Sequence, residues 1–176
     1  MSPLERARTV RLMAFDVDGT LTDGGIHIGP QGEVHKRFDV RDGLGLAMLG
    51  RAGIRVAIVT GRSSPIVEHR ARELAIDLVL QGVADKAGAI RALCDRCGLP
   101  AAAAGYMGDD WPDLPAMRAV GFAAAVSDAV PEVLRAAHWV ARAPGGGGAA
   151  RELAEHLLRV QGRLDESLGR FDGRAA

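Results

Sequence analysis

Apolar residues in this chain come in short blocks, alternately suited to strands and to helices. Val10 to Phe15 is an apolar run that stops at Asp16, which predicts a buried strand with polar residues at its carboxyl end. From Gly24 to Phe38 the apolar positions are Ile26, Ile28, Val34 and Phe38, with Gly29-Pro30-Gln31-Gly32 between them, the signal of a hairpin. Asp42 to Ala52 contains Leu44, Leu46, Met48 and Leu49, stops before Gly53 and reads as a helix. Ile54 to Val59 is rich in β-branched residues and predicts a second buried strand. Ser64 to Ala75 predicts a helix with Ser64 as its cap and Pro65 in its first turn. Beyond it, strands are expected at Asp77 to Leu80, Ala103 to Met107, Gly121 to Val126 and Trp139-Val140. Helices are expected at Lys86 to Cys97, Leu114 to Ala119, Pro131 to Ala137 and Ala149 to Arg159.

Strands that alternate with helices predict an α/β fold: a doubly wound parallel sheet covered on both faces. No linker or repeat divides the chain, so residues 1–176 read as one domain, with residues 24–38 as a flap. The polar segment 162–176 is expected to be a mobile tail.

Composition narrows the function. Lys plus Arg is 22 and Asp plus Glu is 22, without the basic excess of a nucleic-acid binder. Hydrophobic residues make up 48% and charged residues 25%, the balance of a globular protein rather than a disordered one. Two cysteines cannot make a disulfide framework. The opening MSPLERARTVRL lacks the apolar core of a signal peptide, and no apolar run reaches membrane-spanning length. The expectation is a soluble cytoplasmic protein with no nucleic-acid or membrane partner. Twenty of the 22 cations are Arg, and only Lys36 and Lys86 are Lys.

In a doubly wound sheet, ligands sit beyond the carboxyl ends of the strands. Three of the expected strands end in reactive groups: Asp16-Val17-Asp18-Gly19-Thr20, Thr60-Gly61-Arg62, and Gly108-Asp109-Asp110 with Asp113 nearby. Lys86 opens a helix between them. Carboxylates gathered in one pocket repel, and a cation relieves the repulsion; an all-oxygen site suits Mg²⁺. A carboxylate can attack phosphorus and form an aspartyl-phosphate, and a second can shuttle the proton to the leaving group. Thr60 could hold phosphoryl oxygens, and Lys86 would offset the charge on nucleophile and phosphoryl group.

This set, Asp16-x-Asp18-Gly19-Thr20, Thr60-Gly61-Arg62, Lys86 and Gly108-Asp109-Asp110-x-x-Asp113, resembles the four signature regions of the haloacid-dehalogenase-like hydrolases. FDVDGTLTDGG, FDVRDGLGL, VAIVTGRSS, LVLQGVADK, YMGDDWPDLPAM, VGFAAAVSDAVPEV and GGGGAARELAEHLL extend the likeness over nearly the whole chain, to the Kdo 8-phosphate phosphatase family. The resemblance implies hydrolysis of 3-deoxy-manno-octulosonate 8-phosphate for lipopolysaccharide synthesis. It makes Asp16 the nucleophile and Asp18 the acid–base group. It gives Mg²⁺ to Asp16, the Asp18 carbonyl and Asp109, and the phosphoryl group to Thr60 and Lys86. Asp39, Val40, Arg41, Asp42, Gly43, Gly61, Arg62 and Arg70 then line the substrate site. Asp110 and Asp113 stand behind the metal, where one of them orients its waters. Thr20, Ala47 and Gly147 depart from the family's frequent residues. A phosphatase for another sugar acid, such as a neuraminate- or KDN-type 9-phosphate, is the alternative, and a non-catalytic assembly homologue is a third.

Other features read as structural. Lys36 is expected to be a solvated hairpin residue. Cys94-x-x-Cys97 lies in an expected helix without a second ligand pair for zinc. The histidines, Trp111 and Trp139 suit packing. The glycines 145–148 lack the Lys-Ser/Thr of a nucleotide loop, which leaves a phosphate cradle or a hinge. Neither the interval from Asp18 to Thr60 nor that from Thr60 to Lys86 has room for a cap domain. A neighbouring subunit is therefore expected to close the site. The resemblance points to a homotetramer with hairpins at its centre, and to Arg70 or the tail near adjacent sites.

Overall fold

The computed structural model describes residues 1–171. Its elements run α1 (Pro3–Thr9), β1 (Leu12–Phe15), β2 (His27–Gly29), β3 (Gly32–His35), α2 (Val40–Arg51), β4 (Arg55–Val59), α3 (Pro65–Glu73) and β5 (Leu78–Leu80). They continue with α4 (Lys86–Cys97), β6 (Ala104–Gly108), α5 (Leu114–Ala119), β7 (Phe122–Ala125), α6 (Pro131–Ala136), β8 (Trp139–Val140), α7 (Ala149–Val160) and α8 (Leu164–Gly169).

Six strands form one sheet in the order β5-β4-β1-β6-β7-β8, and every pairing in it is parallel. The central strands β1, β6 and β7 are buried along their whole length, as their unbroken apolar runs require. The chain leaves β1 toward β4 and β5, then returns to β6 on the other side and continues to β7 and β8. Right-handed crossovers in these two directions place helices on opposite faces. Accordingly α2 packs with α7 and α1 with α7, while α4, α5 and α6 pack in a row. The strand order reverses at β1, which opens a crevice at its carboxyl end between the ends of β4 and β6.

The predicted hairpin is present as β2 and β3, with Pro30 and Gln31 in its turn. It forms a separate two-stranded sheet. No other insertion separates β1 from α2.

Besides shifts of one or two residues at element ends, the helices depart from the sequence reading in these respects. Helix α2 starts at Val40 because Asp39 caps it, accepting a 2.7 Å hydrogen bond from the Arg41 N–H. Helix α1 was not expected; Ser2 and Glu5 form a reciprocal capping box around it. Within the segment 162–176, expected to be a mobile tail, Leu164–Gly169 is helical. Glu166 and Ser167 of α8, with Arg170 and Phe171, face Met48 and Arg51 of α2 and Ala52 after it. Residues 172–176 of the expected tail lie outside the described residues.

Candidate active site

Asp16 follows the last residue of β1 and is buried there. The turn beyond it is tight. The Val17 carbonyl accepts hydrogen bonds from the N–H groups of Thr20, Leu21 and Thr22. Gly19 sits at φ +89°, and a Cβ there would fall 2.1 Å from Asp109 Oδ2. Glycine thus lets the backbone of this turn approach the carboxylate that ends the neighbouring strand. Thr20 Oγ1 donates to Asp109 Oδ1 at 2.9 Å and fixes that side chain from the other side.

Lys86 is the first residue of α4, whose cap, Asp85, accepts from the Gly88 N–H at 2.8 Å. Its buried ammonium donates to Asp16 Oδ1 at 2.8 Å and to Asp113 Oδ1 at 2.6 Å. Burial disfavours the charged amine, but Asp16 and Asp113 outweigh it and hold Lys86 above its ordinary pKa. Asp113 is fully engaged. Its Oδ1 also accepts from Tyr106 Oη at 2.7 Å, and its Oδ2 accepts the Asp109 and Asp110 N–H groups at 2.9 and 3.2 Å. Asp110 instead points its carboxylate at the Trp111 N–H and caps a short turn. Of the two, Asp113 is the residue built into the site.

Asp16, Asp109 and Asp113 can each offer an oxygen within 4.8 Å of the others, a set that could hold a metal ion. The electrostatics fit a cation. Burial, with Asp113 nearby, raises Asp16 to about 6 against the pull of Lys86. Burial also raises Asp109 to about 7, helped by Asp113 and Asp16 and opposed by the Thr20 hydrogen bond. Three carboxylates face the single ammonium of Lys86, which leaves negative charge uncompensated, and hard oxygen donors suit a hard divalent ion. Because the Asp113 oxygens already accept four hydrogen bonds, Asp16 and Asp109 are the free donors.

Thr60 follows the last residue of β4 and is buried at the rim of the same crevice, its N–H bonded to the Leu80 carbonyl and its carbonyl to the Val83 N–H. Gly61 and Arg62 follow it. Arg62 reaches across to Asp18, with Nε 3.6 Å from Oδ2. The structure therefore brings Asp16, Asp18, Thr60, Lys86, Asp109, Asp113 and Arg62 to one crevice.

The remaining expected site residues form a second group. Asp39 and Arg41 pair at 2.9 Å, and Arg41 holds Asp39 down at about 2. Arg41 also donates to the Gly147 carbonyl. Val40 is exposed, and Gly43 packs against Arg70, which pairs with Glu73 and lies over the Phe38 ring. Asp42 is turned away from any open surface: it accepts the Gly148 and Arg151 N–H groups at 3.1 and 2.8 Å and so holds the start of α7. No hydrogen bond or ion pair among the described residues links this group to Asp16, Lys86 or Asp109.

Two expectations change. Lys36 is not solvated; it is buried, with its ammonium on Asp18 Oδ1 and 2.8 Å from Glu33 Oε1. The glycine loop is neither a cradle nor a free hinge. A Cβ on Gly145 would lie 1.8 Å from the Gly19 carbonyl oxygen, so the loop is packed directly on the turn after β1. Sequence reading also missed Glu33, Ser64 and Tyr106 as supports of the site. No local pattern singles these three out; for Lys36 the rarity of lysine in the chain is the one signal.

Comparison with known proteins agrees with this geometry. Residues 75–153 match the haloacid dehalogenase-like hydrolase family. The 3-deoxy-D-manno-octulosonate 8-phosphate phosphatase of Escherichia coli K12 is 42% identical over 166 residues, 94% of this chain and 88% of the relative. The same phosphatase from Moraxella catarrhalis, solved with magnesium, phosphate and Kdo, superposes with a TM-score of 0.93 at 39% identity, covering 96% of this chain and 97% of that one. The Yersinia pestis enzyme gives 0.89 at 42% identity, over 92% and 88% of the two chains. With relatives this similar over nearly its full length, the chain belongs to the 3-deoxy-D-manno-octulosonate 8-phosphate phosphatase family of haloacid dehalogenase-like hydrolases.

Proposed function

We propose that this protein hydrolyses Kdo 8-phosphate to Kdo and phosphate, with Mg²⁺ as cofactor, in the supply of Kdo for lipopolysaccharide. The observation that carries the reading is the Asp16–Lys86–Asp113 chain beside Asp109: a buried carboxylate held by one oxygen, with a fixed ammonium over it.

Asp16 is the nucleophile. Its free oxygen attacks phosphorus as the bond from phosphorus to the C8 oxygen breaks, which forms an aspartyl-phosphate. Asp18 gives its proton to the departing C8 oxygen, then takes one from the water that attacks the aspartyl-phosphate. Inorganic phosphate leaves and the Asp16 carboxylate is restored. Thr60 and Lys86 hold the phosphoryl oxygens, and Lys86 stays in place throughout because Asp113 grips it. Asp109 and Asp16, with the Asp18 carbonyl, would hold Mg²⁺, which supplies positive charge to the phosphoryl oxygens. Asp113 orients Lys86 and the backbone under Asp109. Arg62, Arg41 and Arg70 are the cations offered to the sugar-acid carboxylate, with Asp39, Val40, Gly43 and Gly61 along the same path.

The assembly we favour is a homotetramer built on the hairpin. Ile26, Ile28 and Val34 are exposed there, Ile28 by 74%, and an apolar patch on a small sheet is a binding surface. Such an assembly would bring a second wall to a crevice that has no cap domain. We place the enzyme in the cytoplasm, where thiols such as the free Cys94 and Cys97 stay reduced.

Phosphate release from a panel of Kdo 8-phosphate, neuraminate 9-phosphate, KDN 9-phosphate and simple hexose phosphates tests the proposal. The highest kcat/KM is expected for Kdo 8-phosphate. A preference for a nine-carbon substrate would move the specificity, and no turnover on any of them would remove the enzyme reading.

A further inference from the structure

Lys36 is one of two lysines in a chain that otherwise uses arginine, and the other is the amine over the nucleophile. It follows a short exposed hairpin strand, where a long side chain would ordinarily keep its freedom. Instead its side chain is 1% exposed. Its ammonium contacts Asp18 Oδ1 and pairs with Glu33 Oε1. Glu33 is itself mounted: its Oε2 accepts from Ser64 Oγ, the cap of α3. The Ser64 N–H in turn donates to Gln81 Oε1 at 2.7 Å. Arg62 closes a ring, with Nε 3.6 Å from Asp18 Oδ2 and Nη2 3.7 Å from Glu33 Oε1.

Burying an ammonium is costly, and a buried ion pair is a weak source of stability compared with apolar packing. The arrangement calls for a different account, which the two Asp18 oxygens provide. Lysine is a point charge and takes one oxygen; an arginine fork in its place would tend to take both. Oδ1 is thus held from the buried side. Among the described residues, the one charged partner of Oδ2 is Arg62, at 3.6 Å and with a half-exposed side chain.

We infer that Lys36 is a positioning residue for the acid–base step: mounted on Glu33 and Ser64, it holds Asp18 by Oδ1 so that Oδ2 is presented to the leaving oxygen. This rests on Asp18 being the acid–base group. When the bond from phosphorus to oxygen breaks, its electron pair stays on the leaving oxygen, and the proton comes from Oδ2. A sugar alkoxide needs that proton; a nitrophenolate leaves without it.

First-turnover rates by rapid quench, with Mg²⁺ saturating, separate the possibilities. Lys36→Met is expected to slow the first turnover of Kdo 8-phosphate by about 10–100-fold, the scale of losing an orienting partner. The p-nitrophenolate burst from p-nitrophenyl phosphate is expected to change by no more than about threefold. Lys36→Arg restores charge but not single-oxygen contact and should recover only part of the rate. Equal losses on both substrates, or none on either, overturn the inference provided Asp18→Asn, run alongside, still slows the sugar phosphate selectively. If Asp18→Asn itself does not distinguish the substrates, the acid–base reading falls and takes this inference with it. Should Lys36→Met fail to fold, Glu33→Gln keeps the lysine and loosens its mount; the same selectivity to a smaller degree supports the inference, and unchanged selectivity overturns it.

Discussion

Replacing Asp109 with Asn should make the metal-free protein more stable while abolishing its use of Mg²⁺. In the metal-free fold Asp109 is raised from 3.8 to about 7, first by burial and then by Asp113 and Asp16. A carboxylate with a raised pKa binds its proton more tightly when folded than when unfolded. Its contribution to stability is therefore present below its ordinary pKa and is lost as pH rises through about 7. Each tenfold change in proton affinity is worth about 1.4 kcal/mol, so keeping Asp109 ionised at pH 8 costs the fold up to roughly 4 kcal/mol. Solvent on its open side reduces this to about 2–3 kcal/mol. The amide is nearly isosteric, and its oxygen can still accept from Thr20 Oγ1. For a domain of this size, 1 kcal/mol moves Tm by about 2–4 °C. The expected gain is thus roughly 4–12 °C at pH 8 in EDTA, falling to less than half of that at pH 5, where the folded carboxyl is protonated but the unfolded one is still ionised, and vanishing only below its ordinary pKa. Saturating Mg²⁺ should raise the wild-type Tm at pH 8 and leave that of the variant unmoved. Calorimetry at the two pH values is the assay. A variant less stable than wild type at pH 8, or equally stabilised at both pH values, would refute this account of the site's electrostatics.

Asp16→Asn should leave the circular dichroism spectrum unchanged and lower kcat by several orders of magnitude, since an amide cannot attack phosphorus; retention of more than a few per cent of turnover would reassign the nucleophile. EDTA should remove activity and Mg²⁺ restore it, while Ca²⁺ should fail to, because its longer bonds and higher coordination number misplace the nucleophile. His156 stacks on Trp139 at 5.2 Å, and burial, then Arg159, lowers its pKa, so stability it permits above its ordinary value of 6.5 is lost as pH falls below that value. His156→Phe should accordingly flatten the fall of Tm between pH 7 and 5.5, and an unchanged slope would assign that fall elsewhere. Ile28→Asp with Val34→Asp should shift sedimentation from a tetramer to smaller species and raise KM; an unaltered tetramer would place the interface off the hairpin.

How much could be read from the sequence depended on whether a residue's role was set by its neighbours in the chain. Asp16, Thr60 and Asp109 were legible because each follows an apolar run, and the ends of parallel strands meet at a switch point whatever the details. Lys86 to Cys97 was legible because the helix has Asp85 before it and Gly98, at φ +64°, after it. Lys36 was not, because its burial depends on Asp18 and on a turn of the hairpin that no local pattern encodes. The structural role of Asp42 was not legible for a related reason. An acidic residue in the first turn of a helix reads the same whether it lines a site or, as here, caps a different helix from 109 positions away. The segment after Gly162 was polar enough to read as a tail; the α2 residues against which it lies are remote in sequence.

The packing of the glycine loop on the turn after β1 also sets when the site can exist during synthesis. The Gly146 N–H donates to the Thr20 carbonyl at 3.1 Å, and the Arg151 N–H to Asp42 Oδ1 at 2.8 Å. The nucleophile is made well before the segment that braces its loop emerges from the ribosome. Contacts this distant in sequence form late, after local elements have settled. A nascent chain truncated before Gly145 would therefore hold Asp16, Lys86 and Asp109 on a sheet already in place, with the turn that carries Asp18 unbraced. Competence for hydrolysis would arrive with the docking of α7, so the site is finished by a helix made after all of its catalytic residues.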